Sequence, residues 1–143
     1  MTNRGVIISK KLIEETLATT PVTGKKLLEP LRSFAREHGL PINVLENSEV
    51  LDNDAEVHTN ESDLWLALEG TTTFVYGGEL VDPWVKKNAD GTTDPRETKA
   101  KTISGGTVVD LTPGDWLWIP AGLPHQHHCA ATSRLAIIKI PKV

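Results

Sequence analysis

The densest group of potentially reactive side chains is the segment GDWLWIPAGLPHQHHC, from Gly114 to Cys129. It holds His125, His127 and His128, which are three of the five histidines in this 143-residue chain. On an extended strand, His125 and His127 share one face and His128 points the other way. Imidazole nitrogens bind divalent transition metals, so this segment is a candidate contributor to a metal site.

A second polar segment, AEVHTNESDLWLALEG, precedes it in the chain. Glu56, His58 and Asn60 alternate, so their side chains share one face of a predicted strand, and Asp63 and Trp65 alternate on the next strand after a short turn. If Glu56 and His58 point inwards, Asp63 approaches them across that turn. Carboxylates and imidazoles that converge from rigid strands form a metal site, although each residue alone is explained equally well as a surface group.

The elements that must position these residues fall into two parts. The first 40 residues are predicted to be helical, because Ser9 can cap a helix over SKKLIEETLA and LLEPLRSFAREHG carries one apolar stripe. Pro30 suits the first turn of the second helix, and Gly39 suits the position after its end. His38 is interpreted as a surface residue in the last turn, where a positive charge favours the helix dipole.

After Gly39, eight short segments rich in β-branched and aromatic residues alternate with turn residues. This pattern predicts a closed β-barrel or a double-sheet jelly roll. The polar stretch Val81–Lys101 is predicted to be a mobile loop that borders the mouth of the pocket. Trp84 within that stretch is either a lid or, as we favour, a residue that packs the loop onto the barrel.

Composition narrows the class of protein. Hydrophobic residues make up 38% and charged residues 24% of the chain, which is typical of one soluble globular domain over residues 1–143. The net charge of −4 argues against nucleic acid and membrane partners. A single cysteine and no long apolar run predict a cytoplasmic protein without a membrane span. Cys129 is interpreted as a small buried hydrophobe rather than a nucleophile.

The spacing of the histidine segment resembles the second motif of the cupin superfamily. From Gly114 the chain has five residues, Pro120, one residue, Gly122, two residues and His125. The motif then expects an asparagine after three further residues, where this chain has Cys129.

The earlier segment is similar to the first cupin motif, which is His-x-His, three or four residues, Glu, six residues and Gly. Here Glu56-x-His58 is followed by four residues, Asp63, six residues and Gly70, so Glu replaces the first His and Asp replaces the Glu. The resemblance covers roughly residues 50–140 and points to small single-domain bacterial cupins.

This resemblance implies an all-β, cupin-type double-sheet jelly-roll β-barrel over about residues 45–143, with N-terminal helices over residues 1–40. It implies that the metal ligands are Glu56, His58, Asp63 and His125, which suit a divalent first-row metal (Fe, Mn or Zn). Cupins that have lost their metal are the alternative, in which Glu56 and Asp63 act as acid and base near His58. Glu56, Asp63 and His127 are thus the candidate catalytic residues, with His127 hydrogen-bonding a ligand or the substrate.

We therefore expect a metal-dependent enzyme that acts on a small polar organic substrate, by isomerase or lyase chemistry with Glu56 or Asp63 as the base. An Fe(II) dioxygenase and a non-catalytic binder of a small ligand are the alternatives. Arg96 is a candidate for binding a substrate carboxylate. A homodimer is also expected, because RLAIIKI and DLWLALEG carry large apolar residues on both faces, unless the N-terminal helices cover the outer face.

Four aromatic residues and one lysine have open roles. Trp116 and Trp118 share a face of their strand. They form part of the pocket wall, the core between the sheets or a dimer contact, and we expect packing to be the role of at least one of them. Trp65 and Tyr76 have the same alternatives. Lys139, the charged residue in AIIKI, is either a buried catalytic amine or, as we favour, an edge or rim lysine.

Overall fold

The computed structural model describes residues 4–142, so residues 1–3 and 143 of the predicted 1–143 domain lie outside the described residues. The helices in this range are α1 (Lys10–Leu17) and α2 (Leu31–His38). The strands are β1 (Gly24–Leu27), β2 (Ile42–Val50), β3 (Ala55–His58), β4 (Glu61–Glu69), β5 (Thr72–Tyr76), β6 (Glu79–Leu80), β7 (Trp84–Lys87), β8 (Thr93–Ala100), β9 (Ile103–Ser104), β10 (Thr107–Leu111), β11 (Trp116–Ile119) and β12 (His125–Pro141). Neither helix is long and apolar enough to cross a membrane.

Of the first 40 residues, those that the structure describes (4–40) form two short helices and a strand rather than a wholly helical segment. Ser9 caps α1 as predicted, since its hydroxyl accepts a hydrogen bond from the backbone N–H of Leu12 at 3.0 Å. Gly39 follows α2 in the left-handed conformation, with φ 64°, also as predicted. The segment Gly24–Leu27, however, pairs with β2. Gly24 disfavours a helix, and the free edge of β2 offers backbone hydrogen-bond partners to this short segment, so it forms a strand.

Apart from the two-residue strands β6 and β9, the strands form two antiparallel layers that share β12. The order is β1-β2-β12-β4-β11 in the first layer and β10-β5-β12-β3-β8-β7 in the second. The beginning of β12 pairs with β3 and β5, and its later part pairs with β2 and β4. A β-bulge between Cys129 and Thr132 lies where the strand passes from one layer to the other.

The fold is therefore largely β with antiparallel layers, but the strands do not close into the predicted barrel. Among the described residues, β1 and β11 remain edges of the first layer, and β7 and β10 remain edges of the second. The sequence predicts eight strands, and residues 4–142 form twelve. The predicted strands HQHHC and RLAIIKI are one continuous strand, and several two- to five-residue strands were hidden in polar segments.

An apolar core fills the space between the two layers. On the first layer, Ile137 lies opposite Trp65 and Leu135 lies opposite Ala67, and all four side chains are buried. On the outer face of β4, Leu68 packs against an apolar cluster built by both helices. The N-terminal helices thus cover part of the outer face, which is the alternative to a partner subunit.

The polar stretch Val81–Lys101 is a β-hairpin rather than a loop. Its second strand, β8, pairs with β3, so that Lys99 lies opposite Glu56 and Glu97 lies opposite His58. A strand with charged residues on its inner face lacks the apolar alternation by which strands are recognised, and this is why the sequence indicates a loop. The hairpin does border the pocket; its mobility stays a prediction.

Candidate metal centre

Three of the predicted ligands lie together on the inner face of the second layer. Glu56 and His58 alternate on β3, and His125, at the start of β12, lies directly opposite Glu56. One ligand atom from each of these side chains lies within 4.8 Å of the other two. Both strands are held in register by backbone hydrogen bonds, so the geometry of the three side chains is fixed by the sheet.

One pair of these donor atoms has the spacing of two ligands on a single first-row ion. His58 Nε2 is 3.1 Å from Glu56 Oε2. Two ligand atoms that each lie about 2.0–2.2 Å from one ion are separated by roughly 3.0–3.5 Å in octahedral or tetrahedral geometry. The other two pairs lie within 4.8 Å. The His58 and His125 rings are 5.1 Å apart between centroids and tilted by 46°.

Asp63, the fourth predicted ligand, lies beside these three. It is 1% exposed, and its Oδ2 is 3.4 Å from His125 Nε2 and 3.7 Å from His58 Nε2. Within residues 4–142, Oδ2 has no hydrogen-bond donor. The other oxygen, Oδ1, accepts a hydrogen bond from Lys139 Nζ at 2.7 Å. Lys139 lies opposite Asp63 on the inner face, so it is a cavity-rim lysine and not an edge lysine.

The environment of His125 leaves its Nε2 free to act as a ligand. Its Nδ1 lies 3.2 Å from the carbonyl oxygen of Leu123, a contact that places the ring proton on Nδ1. Burial lowers the pKa of His125, despite the nearby carboxylate of Asp63. The neutral ring therefore presents an unprotonated Nε2 towards Asp63, as metal ligation requires.

The predicted turn before His125 is anchored to the strands that carry the other ligands. The backbone N–H of Gly122 donates to the carbonyl of His58 at 2.8 Å, and that of Ala121 donates to the hydroxyl of Ser62 at 2.9 Å. Gly122 has φ +89°, a conformation that a residue with a side chain adopts only with strain. The turn thus fixes the entry of β12 against the end of β3 and the start of β4.

Charged neighbours keep Glu56 ionised. Burial raises the pKa of Glu56, but hydrogen bonding to His58 and the charge of Lys99 lower it by more, so this pKa lies below its ordinary range. The Nζ atoms of Lys99 and Lys25 lie 3.7 Å and 3.9 Å from Glu56 Oε1. Glu56 therefore faces ammonium groups with one oxygen and the histidines with the other.

Sequence analysis did not identify the charged residues of the hairpin that surround His58. Glu97 Oε1 is 3.8 Å from His58 Nδ1, behind the ring, which is an ion-pair distance and longer than a hydrogen bond. Lys86 Nζ lies 2.9 Å from Glu97 Oε2, and Lys99 Nζ lies 3.7 Å from Oε1. The alternation of Glu97 and Lys99 in RETKA was the available signal, since it places both on one face of a strand.

His127, predicted to be catalytic, lies deeper in the inner face of β12. It is 5% exposed, and its ring packs edge-on against Trp65 and at a tilt against Phe74. Burial, with the nearby charge of Lys25, lowers the pKa of His127 to about 3, so the ring is neutral. It also lines the cavity, and its catalytic role stays a prediction.

The candidate ligands line an inner cavity of about 420 Å³, a size typical of small-molecule pockets. Its apolar walls include Trp65, for which pocket wall was one of the roles that the sequence left open. An outer cavity of about 510 Å³ adjoins it. The residues that line both cavities are His58, Lys86, Glu97 and Lys139.

Three tryptophans lie outside this cavity. Trp116 and Trp118 are 59% and 49% exposed on the outer face of β11, so within one chain they are neither pocket wall nor core, and packing in a dimer contact stays a prediction. They lie on an edge strand, beyond the part of the layer that the helices cover. Trp84 is 40% exposed on β7, and its role as a lid or as a residue that packs the hairpin down stays a prediction. Tyr76, by contrast, packs against the core between the layers.

The remaining candidates have local partners. The Arg96 guanidinium is paired with Asp94 at 2.9 Å and lines the outer cavity, where substrate binding by Arg96 stays a prediction. His38 is exposed at the end of α2, as predicted, and contacts Phe34. Cys129 is buried, and its thiol donates to a backbone carbonyl, as expected of a small hydrophobe.

Comparison with known proteins gives matches in structure but not in sequence. No protein-family model matches the chain, and no curated protein is similar to it in sequence. Among solved structures, Escherichia coli YcfD is 16% identical, with a TM-score of 0.56 over 97% of this chain and 38% of that one. Fe(II) HppE is 13% identical, with a TM-score of 0.51 over 95% of this chain and 60% of that one.

An oxalate oxidase in complex with glycolate is 12% identical, with a TM-score of 0.51 over 87% of this chain and 53% of that one. The chain thus spans between 38% and 60% of the length of these three structures. Identities this low establish the fold alone. These structures share the fold of this chain, which is the fold that the resemblance to cupins predicts. On it the chain carries a candidate centre of two histidines and one carboxylate, with a second carboxylate beside it.

Proposed function

We propose that the chain is a metal-dependent enzyme that acts on a small organic molecule, with a divalent first-row metal held by Glu56, His58 and His125. The observation that carries the proposal is the convergence of these three donor groups within 4.8 Å on the wall of a cavity. Two histidines and one carboxylate are the ligand set of non-haem Fe(II) oxygenases. Oxidation that depends on Fe(II) is therefore the first candidate for the reaction class.

The polar atoms beside these ligands also favour a cation. His125 Nε2 and Asp63 Oδ2 face each other at 3.4 Å, and the contact of Nδ1 with a carbonyl makes Nε2 an acceptor as well. Two acceptors in a buried site repel each other unless a proton or a cation lies between them. When bound, a metal would neutralise this repulsion and supply open coordination positions for a substrate, and iron would add redox chemistry.

The residues of the chain would then hold and orient the reactants. Glu97, behind the His58 ring, would fix its orientation, and the Leu123 carbonyl would fix that of His125. The apolar wall at Trp65 would exclude water from the inner cavity.

Isomerase or lyase chemistry is the second candidate, and the position of Asp63 favours it. The Asp63 carboxylate is paired with Lys139 through Oδ1, while Oδ2 has no donor within the described part of the chain. Such an oxygen, next to the metal ligands, would accept a proton from a substrate carbon or hydroxyl.

The names of the structures with a similar fold add support by analogy only. One is an oxalate oxidase, one is Fe(II) HppE, and YcfD is described as a ribosomal oxygenase in a second structure, which is 14% identical to this chain with a TM-score of 0.54. These names show that this fold accommodates oxidative chemistry. The candidate ligand set is what relates that chemistry to this chain.

Metal analysis of protein purified without a histidine tag tests the proposal. We expect about one first-row ion per chain, and iron with substrate-dependent O₂ uptake if the first candidate is right. His125→Ala and Glu56→Gln should lose the ion, and His128→Ala, in the same segment, should keep it. Zinc or manganese with turnover in the absence of O₂ would instead support the isomerase or lyase. A wild-type protein that contains no metal and does not bind added Fe(II), Mn(II) or Zn(II) would contradict the proposal.

A further inference from the structure

The region shared by the inner and outer cavities contains two lysines from different layers. Lys86 belongs to β7 of the second layer, and Lys139 belongs to the part of β12 in the first layer. Their side chains are 41% and 37% exposed, whereas their partners Glu97 and Asp63 are only 12% and 1% exposed. Both ammonium groups are therefore accessible from the cavities, and their counter-charges lie beneath them.

The two lysines lie in a cavity wall of mixed charge. The ion pairs of the inner faces link the ammonium groups of Lys25, Lys86, Lys99 and Lys139 to the carboxylates of Glu56, Asp63 and Glu97. The two cavities are also lined by Asp54, Glu61, Asp94 and Arg96, so their walls carry six negative and four positive side chains. A bound divalent metal would offset this difference. The attraction of an anion therefore depends on the local positive charge of Lys86 and Lys139 and not on the net charge of the walls.

Lys86 and Lys139 also retain hydrogen-bonding capacity. An ammonium group has three N–H donors. Lys86 makes its short contact with Glu97 at 2.9 Å, and Lys139 makes its short contact with Asp63 at 2.7 Å. An anion that enters the cavity therefore gains charge-assisted hydrogen bonds from both lysines without breaking either ion pair.

The two cavities differ in the character of their walls. The inner cavity has apolar walls at Leu27, Leu45, Trp65 and Ile137. The outer cavity is lined mainly by polar and charged residues, including Asn60, Glu61 and Arg96. An apolar group is therefore more favourable in the inner cavity, and an anionic group is more favourable between the lysines.

We propose that this cavity binds a small organic acid, whose anionic group lies between Lys86 and Lys139 and whose apolar body lies in the inner cavity against Trp65. The inference rests on the proposed function, because it assigns a substrate class to the same site. It identifies the two lysines as binding residues for the substrate anion.

Benzoate and benzamide are suitable probes because they have the same shape and differ in charge. In calorimetric titrations of the Zn²⁺-loaded protein, we expect benzoate to bind about tenfold more tightly than benzamide. Lys139→Gln and Lys86→Gln should each weaken benzoate binding by about fivefold and leave benzamide binding unchanged. Lys139→Arg keeps the charge and should retain most of the affinity. Lys87→Gln, at the next and exposed position of β7, is the matched control and should change neither affinity.

A direct bond between benzoate and the metal would also favour the acid over the amide, and the lysine variants separate these two explanations. If the double variant Lys86→Gln/Lys139→Gln binds benzoate as tightly as the wild type at equal zinc content, the inference is wrong and the proposed function stands. If the wild type binds none of Zn(II), Fe(II) and Mn(II), the proposed function fails, and a lysine-dependent benzoate preference in the metal-free protein would still support the anion site. Should the double variant not fold, the single change at the more exposed Lys86 gives the same comparison.

Discussion

Two groups of buried charge lie along β12, and they differ in how completely their polar atoms are paired. Arg134 donates to Glu46 Oε1 from Nε at 3.0 Å and from Nη2 at 2.8 Å, and it also donates to the backbone carbonyls of Leu17 and Thr19. At the other end of the strand, Asp63 Oδ2 faces His125 Nε2 and has no donor among residues 4–142. In the Arg134 group every N–H of the guanidinium has an acceptor. In the His125 group, two hydrogen-bond acceptors face each other.

The difference separates a structural from a functional use of buried charge. The Arg134 group ties the segment after α1 to the sheet, and its contacts leave the guanidinium no capacity for a ligand. The His125 group leaves acceptors unpaired, which costs stability unless a cation binds there. A buried charge whose hydrogen bonds are all made within the protein thus indicates a structural role, whereas converging acceptors without donors indicate a cation-binding site.

The largest expected effect is on the Arg134 group. Arg134→Leu should lower the free energy of unfolding by about 3–5 kcal/mol, because it leaves Glu46 buried without a counter-charge. Urea denaturation measures this loss. The double variant Glu46→Leu/Arg134→Leu should recover much of it, and a single variant that unfolds within about 1 kcal/mol of the wild type would contradict the assigned role.

At the His125 group we expect a substitution to change metal binding and to have little effect on the free energy of unfolding. Asp63→Asn should weaken zinc binding by about tenfold or more, because the amide removes a charge beside the ligands. The metal-free variant should unfold within about 1 kcal/mol of the wild type, since the amide relieves the repulsion with His125 while the loss of the contact with Lys139 offsets that gain. Competition titrations with a zinc chelator and urea denaturation give the two values. A variant with wild-type zinc affinity would show that Asp63 has no part in the metal site.

His127 provides a smaller test, because it is buried next to both the core and the site. His127→Phe should leave zinc affinity unchanged and alter the free energy of unfolding by less than about 1 kcal/mol. The change removes an Nδ1 atom that has no partner among residues 4–142, together with a 3.4 Å contact between Nε2 and Asn53 Nδ2, and places an apolar ring against Trp65 and Phe74. A tenfold loss of zinc affinity would instead bring His127 into the metal site.

Substitution of the exposed tryptophans of β11 should have the smallest effect on both groups. Because the helices cover Leu68 on the outer face of β4, Trp116 and Trp118 are the exposed apolar residues that we expect to form the contact of the homodimer. Light scattering at micromolar concentration should give twice the mass of one chain. Trp116→Ser/Trp118→Ser should shift it to one chain with unchanged zinc content, and a monomeric wild type would contradict the dimer.

Local signals in the sequence predicted the helix ends, the face of a strand on which side chains lie, and the turn before His125. Ser9 and Gly39 marked helix ends, and alternation placed Glu56 and His58 on one face. The spacing from Gly122 to His125 placed the histidine after a turn that the structure shows anchored to His58. These features were predictable because each depends on a few neighbouring residues. The roles of the predicted ligands remain predictions.

The hairpin and the course of β12 could not be predicted in this way. In the hairpin, the inner face of β8 carries Glu97 and Lys99, so a strand with one face towards the cavity has the composition of a loop. Polar residues between Cys129 and Arg134 divided β12 into two apparent strands. Both features depend on what lies opposite in space, which a local pattern does not contain.

The course of β12 has a consequence for how the site is held in shape. His125 and Lys139 are fourteen positions apart on one strand, a span of roughly 45 Å if it were straight. Yet both contact the same carboxylate, that of Asp63, at 3.4 Å and 2.7 Å. The strand is therefore an arch over the cavity, and the irregular residues between Cys129 and Thr132 lie along its curve. Inserting or deleting one residue there would change the span of the arch and dismantle the site while leaving every residue of it in the sequence.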